Sequence, residues 1–484
     1  MDYFHTPQAT RLWRCHTKMK KALIVITADN YIRNYLRTDA FTELYKAVDC
    51  DFIADTRVKN TTDLEAMPGF RGYYSISDKN RALHDFHFSL MMWRYRRRSK
   101  TFTYRWLRNS GWHRVNRTGS YAKRFVSLVS WFIGSIRNPH GLRIPLLGNA
   151  VLFPIVAGIL RKRLTVNPEI ELFFQQKPYD VAIFPSAAFD AATVDTIRLG
   201  KRERIPTLCL IDNWDNLTSK TVFWQLPDFI GVWGNQAKEQ AVGIHGFHPE
   251  QVMPIGTPRF NTYFESRKHK LKSHYSFPYI LFVGSAMPFD ELGALHRLER
   301  IILQSADGQP DLRIVYRPHP WQQKRLVNAV FEENDFEIVV LDSQIKEAYQ
   351  DGVVPEKTDE KFQPALDYYP ALLTNAALVV GPLTTMLLEA ALALRPVVGL
   401  SYFDGHHANT GLRYFSHFKG TESIPGFTIC ESEDSLGVSV VNALNAGVIS
   451  ETESDAATRY FIFQDSRSYS RRLADLVSDL IKAE

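Results

Sequence analysis

Short continuous apolar runs alternate along the first half of the chain with segments whose apolar residues recur at helical spacing. The first run is Ala22–Thr27, and we predict that a helix over residues 34–47 and a second strand over Asp51–Ala54 follow it. Later runs that also predict strands are residues 179–185, 206–211 and 228–233. Continuous runs of this length are typical of strands buried on both faces of a parallel sheet. The first half is therefore predicted to be an α/β domain that opens with a βαβ unit.

The same alternation begins again after a polar, basic segment at residues 266–276. Further strands are predicted at residues 279–283, 312–316, 336–341, 377–380 and 396–400, with helices at 291–304, 365–375 and 386–394 between them. The last segment, 468–483, has apolar residues at helical spacing. The alternation predicts two doubly wound, Rossmann-like α/β domains. We place them at residues 20–265 and 277–455, followed by a helical segment at 456–484.

Residues 90–165 interrupt the first domain with basic and apolar stretches. A basic, aromatic run from Trp93 to Lys100 is followed by the apolar stretch Phe125–Ile136, and a second apolar stretch at 145–160 ends in three cations at 161–163. Both apolar stretches are too short and interrupted to span a bilayer, which needs about 20 residues. Two interpretations stay open: helices buried in the first domain, or a basic, apolar face that contacts an anionic membrane.

Composition and charge narrow the class of protein. The chain has 484 residues and is 45% hydrophobic, which is ordinary for a globular protein. Its net charge of +6 is modest for this length and allows an anionic partner without identifying one. The four cysteines have no zinc-like or redox spacing, which indicates a reduced, cytoplasmic protein. The apolar run after Lys20 and Lys21 is short for a signal peptide, so we interpret it as a buried strand and Met19 as a candidate natural start.

The loops that follow strands hold the candidate site, because doubly wound folds bind ligands at the carboxyl ends of their strands. In the second half, Thr384 and Thr385 open a helix directly after a strand, and Glu389 lies about one turn further on. A helix N-terminus offers free N–H groups to a phosphate, and a carboxylate one turn later can accept hydrogen bonds from ribose hydroxyls. Plain helix capping is the alternative, since such caps are common.

Two more loops of the second half carry suitable chemistry. Arg317 and His319 flank a proline directly after a strand. The guanidinium is a planar fork for phosphate, and the imidazole can exchange a proton near neutral pH. Gly284 and Ser285 follow the first strand of this half, where backbone N–H groups can approach a ligand closely. A structural turn is the alternative for each loop.

The first half has a polar loop of its own at residues 212–220. Asp212 and Asp215 are candidate general bases for an acceptor hydroxyl, and the indole of Trp214 is a candidate surface for stacking on a sugar. An Asx-rich turn is the alternative. The adjacent histidines at 406–407 lack a third ligand at a diagnostic spacing, so we predict no metal site there.

The order of these motifs resembles the C-terminal domain of GT-B glycosyltransferases. The matching segments are Arg-Pro-His-Pro at 317–320, Gly-x-x-Thr-Thr-x-x-x-Glu-Ala at 381–390 and Arg-Pro-Val-Val at 395–398. The chain looks closest to bacterial surface-polysaccharide enzymes and is similar to the CDP-glycerol glycerophosphotransferases and UDP-GlcNAc 2-epimerases. Residues 214–220 and 256–260 resemble segments of capsule and surface-carbohydrate proteins, so the resemblance covers about 180–430.

The resemblance implies two Rossmann-like domains that face a cleft, with the acceptor on the first domain and the donor nucleotide on the second. The final helix would cross back to the first domain. By the same likeness Arg317 and His319 face the donor's phosphates, Thr384 and Thr385 bind the diphosphate, and Glu389 binds the ribose. The chain departs from many relatives in having proline and leucine at 382–383 where they carry a glycine-rich or Ser-Gly loop.

The expected function is transfer of a sugar from a nucleotide-activated donor to a glycan or lipid-linked acceptor, in surface polysaccharide, capsule or lipopolysaccharide biosynthesis. We expect no metal, no cofactor besides the donor, and no nucleic-acid partner. The expected location is the cytoplasm, with peripheral contact to the inner face of the membrane. The alternatives are a CDP-glycerol-type glycerophosphotransferase, a sugar-nucleotide 2-epimerase, and a non-catalytic binding protein on a GT-B frame.

Overall fold

A computed structural model describes residues 19–58, 64–108, 121–137, 141, 143–269, 271–305, 311–319, 331–350, 364–405, 407 and 409–482. The proposed extension before Met19, Pro320 of the Arg-Pro-His-Pro motif and His406 of the histidine pair lie outside these residues.

The first half forms a sheet of seven parallel strands. In chain order they are β1 (Lys21–Ile26), β2 (Asp49–Asp55), β3 (Phe70–Tyr74), β4 (Val181–Ser186), β5 (Thr207–Ile211), β6 (Phe229–Val232) and β7 (Val252–Pro254). Their order across the sheet is β3-β2-β1-β4-β5-β6-β7. The first three strands are added towards one edge and the last four towards the other, so the strand order reverses between β1 and β4. Val25 of β1 lies beside Ile53, and Ile24 lies beside Ile183. Both faces of the central strands are covered, which explains their continuous apolar sequences.

The second half forms a separate sheet of six parallel strands. They are β8 (Tyr279–Val283), β9 (Arg313–Arg317), β10 (Val339–Leu341), β11 (Leu378–Pro382), β12 (Val397–Leu400) and β13 (Phe427–Cys430), in the order β10-β9-β8-β11-β12-β13. The predicted α/β class with two doubly wound sheets is confirmed. The strands β3 and β13 were not predicted, because each lies at a sheet edge and neither carries a continuous apolar run.

Helices connect the strands and cover both sheets. Within the described residues, the helices of the first half are α1 (Thr42–Ala47), α2 (Asp78–Arg98), α3 (Phe102–Arg108), α4 (Tyr121–Arg137), α5 (Arg143–Leu147), α6 (Leu152–Arg163), α7 (Pro168–Gln176), α8 (Ala191–Glu203), α9 (Asn235–His245) and α10 (Asn261–Lys268). Those of the second half are α11 (Glu291–Ser305), α12 (Ser343–Gln350), α13 (Tyr368–Thr374), α14 (Thr385–Leu392), α15 (Leu436–Ala446), α16 (Glu451–Thr458) and α17 (Tyr469–Lys482). Helix α10 runs into the segment predicted as the linker, and the domain boundaries themselves stay a prediction.

The helix predicted over residues 34–47 is wrong in its continuity. A helical turn at Asp29–Tyr31 leads into a π-helical turn at Ile32–Leu36, and α1 begins only at Thr42. The hydroxyl of Thr38 donates to the backbone oxygens of Asn34 and Tyr35, at 3.0 and 3.2 Å. This side-chain hydrogen bonding satisfies carbonyls at the end of the turn, so the chain changes direction there.

The basic and apolar interruption of the first domain is a helical insertion between β3 and β4, formed by α2 to α7. It begins earlier than residue 90, since α2 starts at Asp78. The interpretation as buried helices holds for part of it, because α2 buries Leu90, Met91 and Met92. It fails for α4, where large apolar side chains are exposed. No helix in the described part of the chain has the length and apolar content needed to span a bilayer.

The final helix α17 returns to the first domain, as predicted. Tyr469, Leu473 and Val477 are buried in the same apolar cluster as β1 and α1. The backbone N–H of Glu43 donates to the hydroxyl of Ser470 at 2.7 Å. Because this segment joins the two halves a second time, the halves are connected by more than the segment after α10.

Candidate functional site

The candidate site lies where the carboxyl edges of the two sheets approach each other. Asp212 directly follows β5, Arg259 follows β7, Arg317 ends β9, and Glu389 lies in α14 after β11. In a parallel sheet these loops all emerge at one edge, so residues far apart in sequence become neighbours. Side chains from both halves meet here and form one connected polar cluster.

Asp212 is a buried carboxylate that is held by amides. Its side chain accepts three hydrogen bonds, each with a donor–acceptor distance of 2.9 Å, from the side chains of Asn30, Asn34 and Asn213. Burial raises the pKa of Asp212, while the hydrogen bond from Asn34 and the charge of Arg259 oppose that rise. A fixed carboxylate with a raised pKa is suited to accept a proton from a substrate hydroxyl.

Arg259 and Glu389 form an ion pair between the two halves. Arg259 Nη2 contacts Glu389 Oε1, and the hydroxyl of Tyr263 donates to Glu389 Oε2 at 2.6 Å. Burial alone would lower the pKa of Arg259, but Glu389 and Tyr263 raise it above its usual value. Glu389 is only 1% exposed. The predicted contact of Glu389 with a ribose stays a prediction. It requires a ribose hydroxyl to donate to a carboxylate oxygen of Glu389 that already accepts from Arg259 or Tyr263.

Arg317 is held in the second half by three side chains. Its Nη1 donates to Asp342 Oδ2 at 2.7 Å and to Gln344 Oε1 at 2.6 Å, and its Nη2 donates to the hydroxyl of Tyr369 at 2.9 Å. Burial opposes the charge, but Tyr369 and Asp342 keep the pKa of Arg317 above its usual value. Arg317 is therefore a permanently charged, fixed group under the surface of the cluster.

His319, Gly284 and Ser285 lie side by side at the carboxyl ends of β9 and β8. The N–H of Gly284 donates to the oxygen of Arg317 at 2.8 Å. A Cβ atom on Gly284 would lie 2.7 Å from the backbone nitrogen of His319, so only glycine fits this close approach. The N–H of Ser285 donates to Glu291 at 3.0 Å, and His319 is half-buried. The two loops that the sequence singled out separately thus form one wall.

Thr384 and Thr385 stand at the start of α14. Thr384 is the N-cap residue in extended conformation, and its side chain makes no capping hydrogen bond in the described structure. Both threonines are half-buried, while the helix behind them is buried from Leu387 to Leu392. They occupy the end of a helix whose first N–H groups point away from its body. Their predicted contact with a diphosphate stays a prediction.

The rest of the polar loop at 212–220 belongs to the contact between the halves. The indole N–H of Trp214 donates to Gln236 Oε1 at 2.7 Å, and its ring packs edge-on against His417 and Phe418. Trp214 is 3% exposed. The expectation that this indole stacks on a sugar is wrong, because the indole is buried against His417 and Phe418 of the second half.

Asp215 differs from Asp212 in its surroundings. Lys220 Nζ lies 2.9 Å from Asp215 Oδ2, and the hydroxyl of Ser219 donates to the same oxygen at 3.2 Å. Burial opposes ionisation, but Lys220 and then His417 lower the pKa of Asp215 below its usual value. An ion-paired carboxylate with a lowered pKa is a weaker base than Asp212.

Sequence reasoning missed Arg33, which lies in the π-helical turn after β1. Its guanidinium carbon is 5.9 Å from the centre of the Tyr369 ring, so it reaches from the first half to the second. Its Nε is buried and has no hydrogen-bond partner. Burial, followed by the nearby charge of Arg259, lowers the pKa of Arg33. A signal existed, because Asn30, Arg33 and Asn34 have i, i+3, i+4 spacing directly after the first strand.

The cluster can hold an anion and accept a proton at adjacent positions. Arg33 and Arg259 bring positive charge to the boundary between the halves, and the buried carboxylate of Asp212 lies within electrostatic reach of Arg259. Among the residues that the structure describes, no group of three or more His, Cys, Asp or Glu side chains is placed to hold a metal ion. The expectation of a metal-independent site stays a prediction.

Comparison with known proteins defines the fold. A search with the sequence matches no protein-family model and no curated protein. The structure is similar to UDP-GlcNAc 2-epimerase from Methanocaldococcus jannaschii, with a TM-score of 0.50, 10% identity, and coverage of 95% of this chain and 99% of that one. It is equally similar to UDP-GlcNAc 2-epimerase from Neisseria meningitidis bound to UDP-GlcNAc, with a TM-score of 0.50, 10% identity, and coverage of 96% and 100%. At this identity the likeness shows the fold, and the predicted GT-B architecture is confirmed.

Proposed function

We propose that the protein is a glycosyltransferase that moves a sugar from a nucleotide-activated donor to a glycan or lipid-linked acceptor in surface polysaccharide biosynthesis. One observation carries the proposal: a buried carboxylate, Asp212, and cations from both halves meet between the carboxyl edges of two parallel sheets. Sugar transfer needs a base for the acceptor hydroxyl and positive charge for the departing nucleotide. The cluster contains both.

In the proposed reaction the acceptor oxygen forms a bond to the anomeric carbon of the donor sugar. The bond from that carbon to the phosphate oxygen breaks, and the oxygen leaves with the electron pair as part of the nucleoside diphosphate. Asp212 takes the proton of the acceptor hydroxyl. Arg33 and Arg259 offset the negative charge that builds on the diphosphate. Their electrostatic effect is strong because the site is partly shielded from water.

The second half is assigned to the donor. Gly284 and Ser285, whose N–H groups are bonded within the protein, let the loop after β8 pack closely against His319. We assign His319 as a donor to a phosphate oxygen. Thr384 and Thr385 place hydroxyls and helix N–H groups on the same edge. Arg317 lies buried behind these residues and is held by its hydrogen bonds to Asp342 and Tyr369. The positive side chains supply the charge that a metal supplies in other transferases, so the proposal includes no metal.

A sugar-nucleotide 2-epimerase is the second candidate, since both structural neighbours described above carry that name. An epimerase acts on the sugar nucleotide alone and needs no acceptor. We favour transfer because the first half presents basic, apolar helices suited to a lipid-linked acceptor. This choice also places the protein in the cytoplasm, in peripheral contact with the inner face of the membrane.

The test begins with thermal-shift screening against UDP, CDP, GDP and their sugars. A ligand at 100 times its Kd stabilises the folded state by about 2.7 kcal/mol, which is readily measured. The sugar nucleotide selected in this way is then incubated with and without a membrane-lipid extract. Acceptor-dependent release of the nucleoside diphosphate supports transfer. Inversion at the sugar's second carbon without an acceptor supports the epimerase, and binding without either product contradicts both.

The base assignment is tested by comparing Asp212→Asn with Asp215→Asn. We expect Asp212→Asn to lower turnover by about 10²- to 10⁴-fold, the usual contribution of a general base, while nucleotide affinity is retained. Asp215→Asn is the matched comparison in the same loop, and its turnover should fall far less. A larger loss in Asp215→Asn would move the role of base to that residue.

A further inference from the structure

Helix α4 exposes an unusual amount of apolar surface. Tyr121 is 90% exposed, Phe125 69%, Val126 65% and Phe132 55%. Large apolar side chains scattered singly on a surface need no explanation, but a group on one helix marks an interaction site. The helix also lacks acidic residues, since its sequence contains Lys123, Arg124 and Arg137 but no Asp or Glu.

Helix α6 presents a second apolar stripe. Val151, the N-cap residue, and Ile155 and Ile159 within the helix recur every fourth residue and are all exposed, so they lie along one face. The helix ends in the exposed cations Arg161, Lys162 and Arg163. Apolar side chains thus run directly into positive charge, as in helices that lie in the headgroup region of a bilayer.

The charge of the whole insertion points to an anionic partner. Between Asp85 and Glu169 the chain contains sixteen Lys and Arg residues and no Asp or Glu. At the average acidic content of this chain, a segment of that length would carry about nine acidic residues. Binding to a protein partner would not in general require a segment this long to lack acidic residues. An anionic bilayer explains the excess of positive charge, because it attracts every cation of the segment.

We propose that α4 and the exposed face of α6 dock on an anionic lipid bilayer. The apolar side chains enter the boundary between headgroups and acyl chains, and the cations at 161–163 contact lipid phosphates. This docking does not depend on the reaction assigned to the cleft. Where that reaction is correct, the docking deepens it by naming a membrane as the source of the acceptor.

The insertion is attached close to the candidate site, so docking would bring a membrane-bound acceptor towards it. The hydroxyl of Tyr104, in α3, donates to the backbone oxygen of Thr221 at 2.8 Å, and Thr221 lies nine residues after Asp212. The hydroxyl of Tyr95, in α2, donates to the oxygen of Ile244 at 2.6 Å. These bonds fix the inner helices of the insertion on the loop that follows β5 and on α9, the helix that follows β6.

The exposure of each cation decides which ones are suitable for substitution. Within the run from Trp93 to Lys100, Arg97 and Arg98 are exposed, but Arg96 is half-buried with its Nε enclosed. Replacing Arg96 would therefore disturb packing as well as charge. The cations at 161–163 are exposed and are the better target.

The experiment is sedimentation of the full chain with vesicles of phosphatidylcholine alone or of equal parts phosphatidylcholine and phosphatidylglycerol. We expect binding to the anionic vesicles only, falling steeply with salt. Arg161→Ser/Lys162→Ser/Arg163→Ser should weaken the partition coefficient about a hundredfold, at roughly fivefold for each cation. Phe125→Ser/Phe132→Ser should weaken it by about tenfold for each phenylalanine. The matched control is Lys46→Ser/Arg471→Ser/Lys482→Ser, three exposed cations on α1 and α17, which should bind like wild type.

Three results would overturn the docking: no binding to anionic vesicles, equal binding to neutral vesicles, or wild-type binding by both surface variants. A dimer that disappears in Phe125→Ser/Phe132→Ser without any lipid binding would show that α4 joins two copies instead. Nucleotide binding is measured without lipid on the same variants. It should be unchanged, so failure of the docking and failure of the proposed reaction give different results.

Discussion

Replacing Arg33 by methionine tests whether the cluster between the two halves binds an anion. Methionine keeps an unbranched apolar stem but removes the guanidinium. In the structure that guanidinium lies over the ring of Tyr369, has a buried Nε without a hydrogen-bond partner, and has no carboxylate within ion-pair distance among the described residues. Among the described residues, Arg259 is paired with Glu389 and Arg317 with Asp342, whereas Arg33 has no such ion pair.

The expected magnitude follows from those contacts. Hydrogen bonds to a charged group contribute about 1.5–3 kcal/mol, so loss of a contact from Arg33 to a phosphate should weaken affinity roughly tenfold to over a hundredfold. Stability should respond differently. Burial and the neighbouring charge of Arg259 both lower the pKa of Arg33, which means that both oppose its charged form. The free energy of unfolding of Arg33→Met should therefore equal or exceed that of wild type.

The assay is calorimetric titration with the nucleoside diphosphate that thermal-shift screening selects, together with urea unfolding of the same samples. Arg33→Lys should lie between wild type and Arg33→Met, because lysine keeps the charge but loses the planar fork. Arg37→Met is the matched control, since Arg37 is an exposed arginine that directly follows the same turn. Unchanged nucleotide affinity in Arg33→Met, combined with lower stability, would show that Arg33 only holds the two halves together.

Two further variants test the buried charges. Glu389→Gln should lower the free energy of unfolding by about 3–5 kcal/mol in urea, because it removes the buried carboxylate that pairs with the half-buried guanidinium of Arg259. A loss under about 1 kcal/mol would mean that water replaces the lost charge. Asp195 is a buried residue of α8 that accepts a hydrogen bond from the backbone N–H of Asn167 at 3.0 Å. Burial raises the pKa of Asp195 to about 7, so the folded state holds a proton that the unfolded state releases, and this stability is lost as pH rises from about 4 to 7. The stability of Asp195→Asn relative to wild type should accordingly increase between pH 5 and pH 8, and parallel pH profiles of unfolding would contradict the shift.

Most strands could be predicted from the sequence because burial of a strand requires apolar residues within that strand itself. A strand covered on both faces, such as β1, β5 or β8, needs an unbroken apolar run, and such runs are read without knowing what covers them. The same reasoning located the loops after the strands, where Asp212, Arg317 and Glu389 lie. It failed at β3 and β13, whose edge positions demand no such run.

The roles of individual side chains depended on partners far away in the chain. Trp214 looked available for a sugar until the second half of the chain covered it, and Gln236 took its N–H. Asp212 and Asp215 are three residues apart and look equivalent in sequence. Amides from Asn30 and Asn34 surround one, and Lys220 neutralises the other.

The sequence by itself determined the alternation of strands and helices, the GT-B class of fold and the edge of each sheet at which polar residues gather. Only the tertiary structure decided that Glu389 pairs with Arg259, 130 residues earlier, and that Arg33 crosses to the ring of Tyr369 in the other half. The physical reason is the range of the two effects. Hydrophobic burial constrains the spacing of apolar residues within each segment, so it can be recognised in the sequence. An ion pair or hydrogen bond requires two atoms within a few ångströms of each other, and only the complete fold brings distant residues that close.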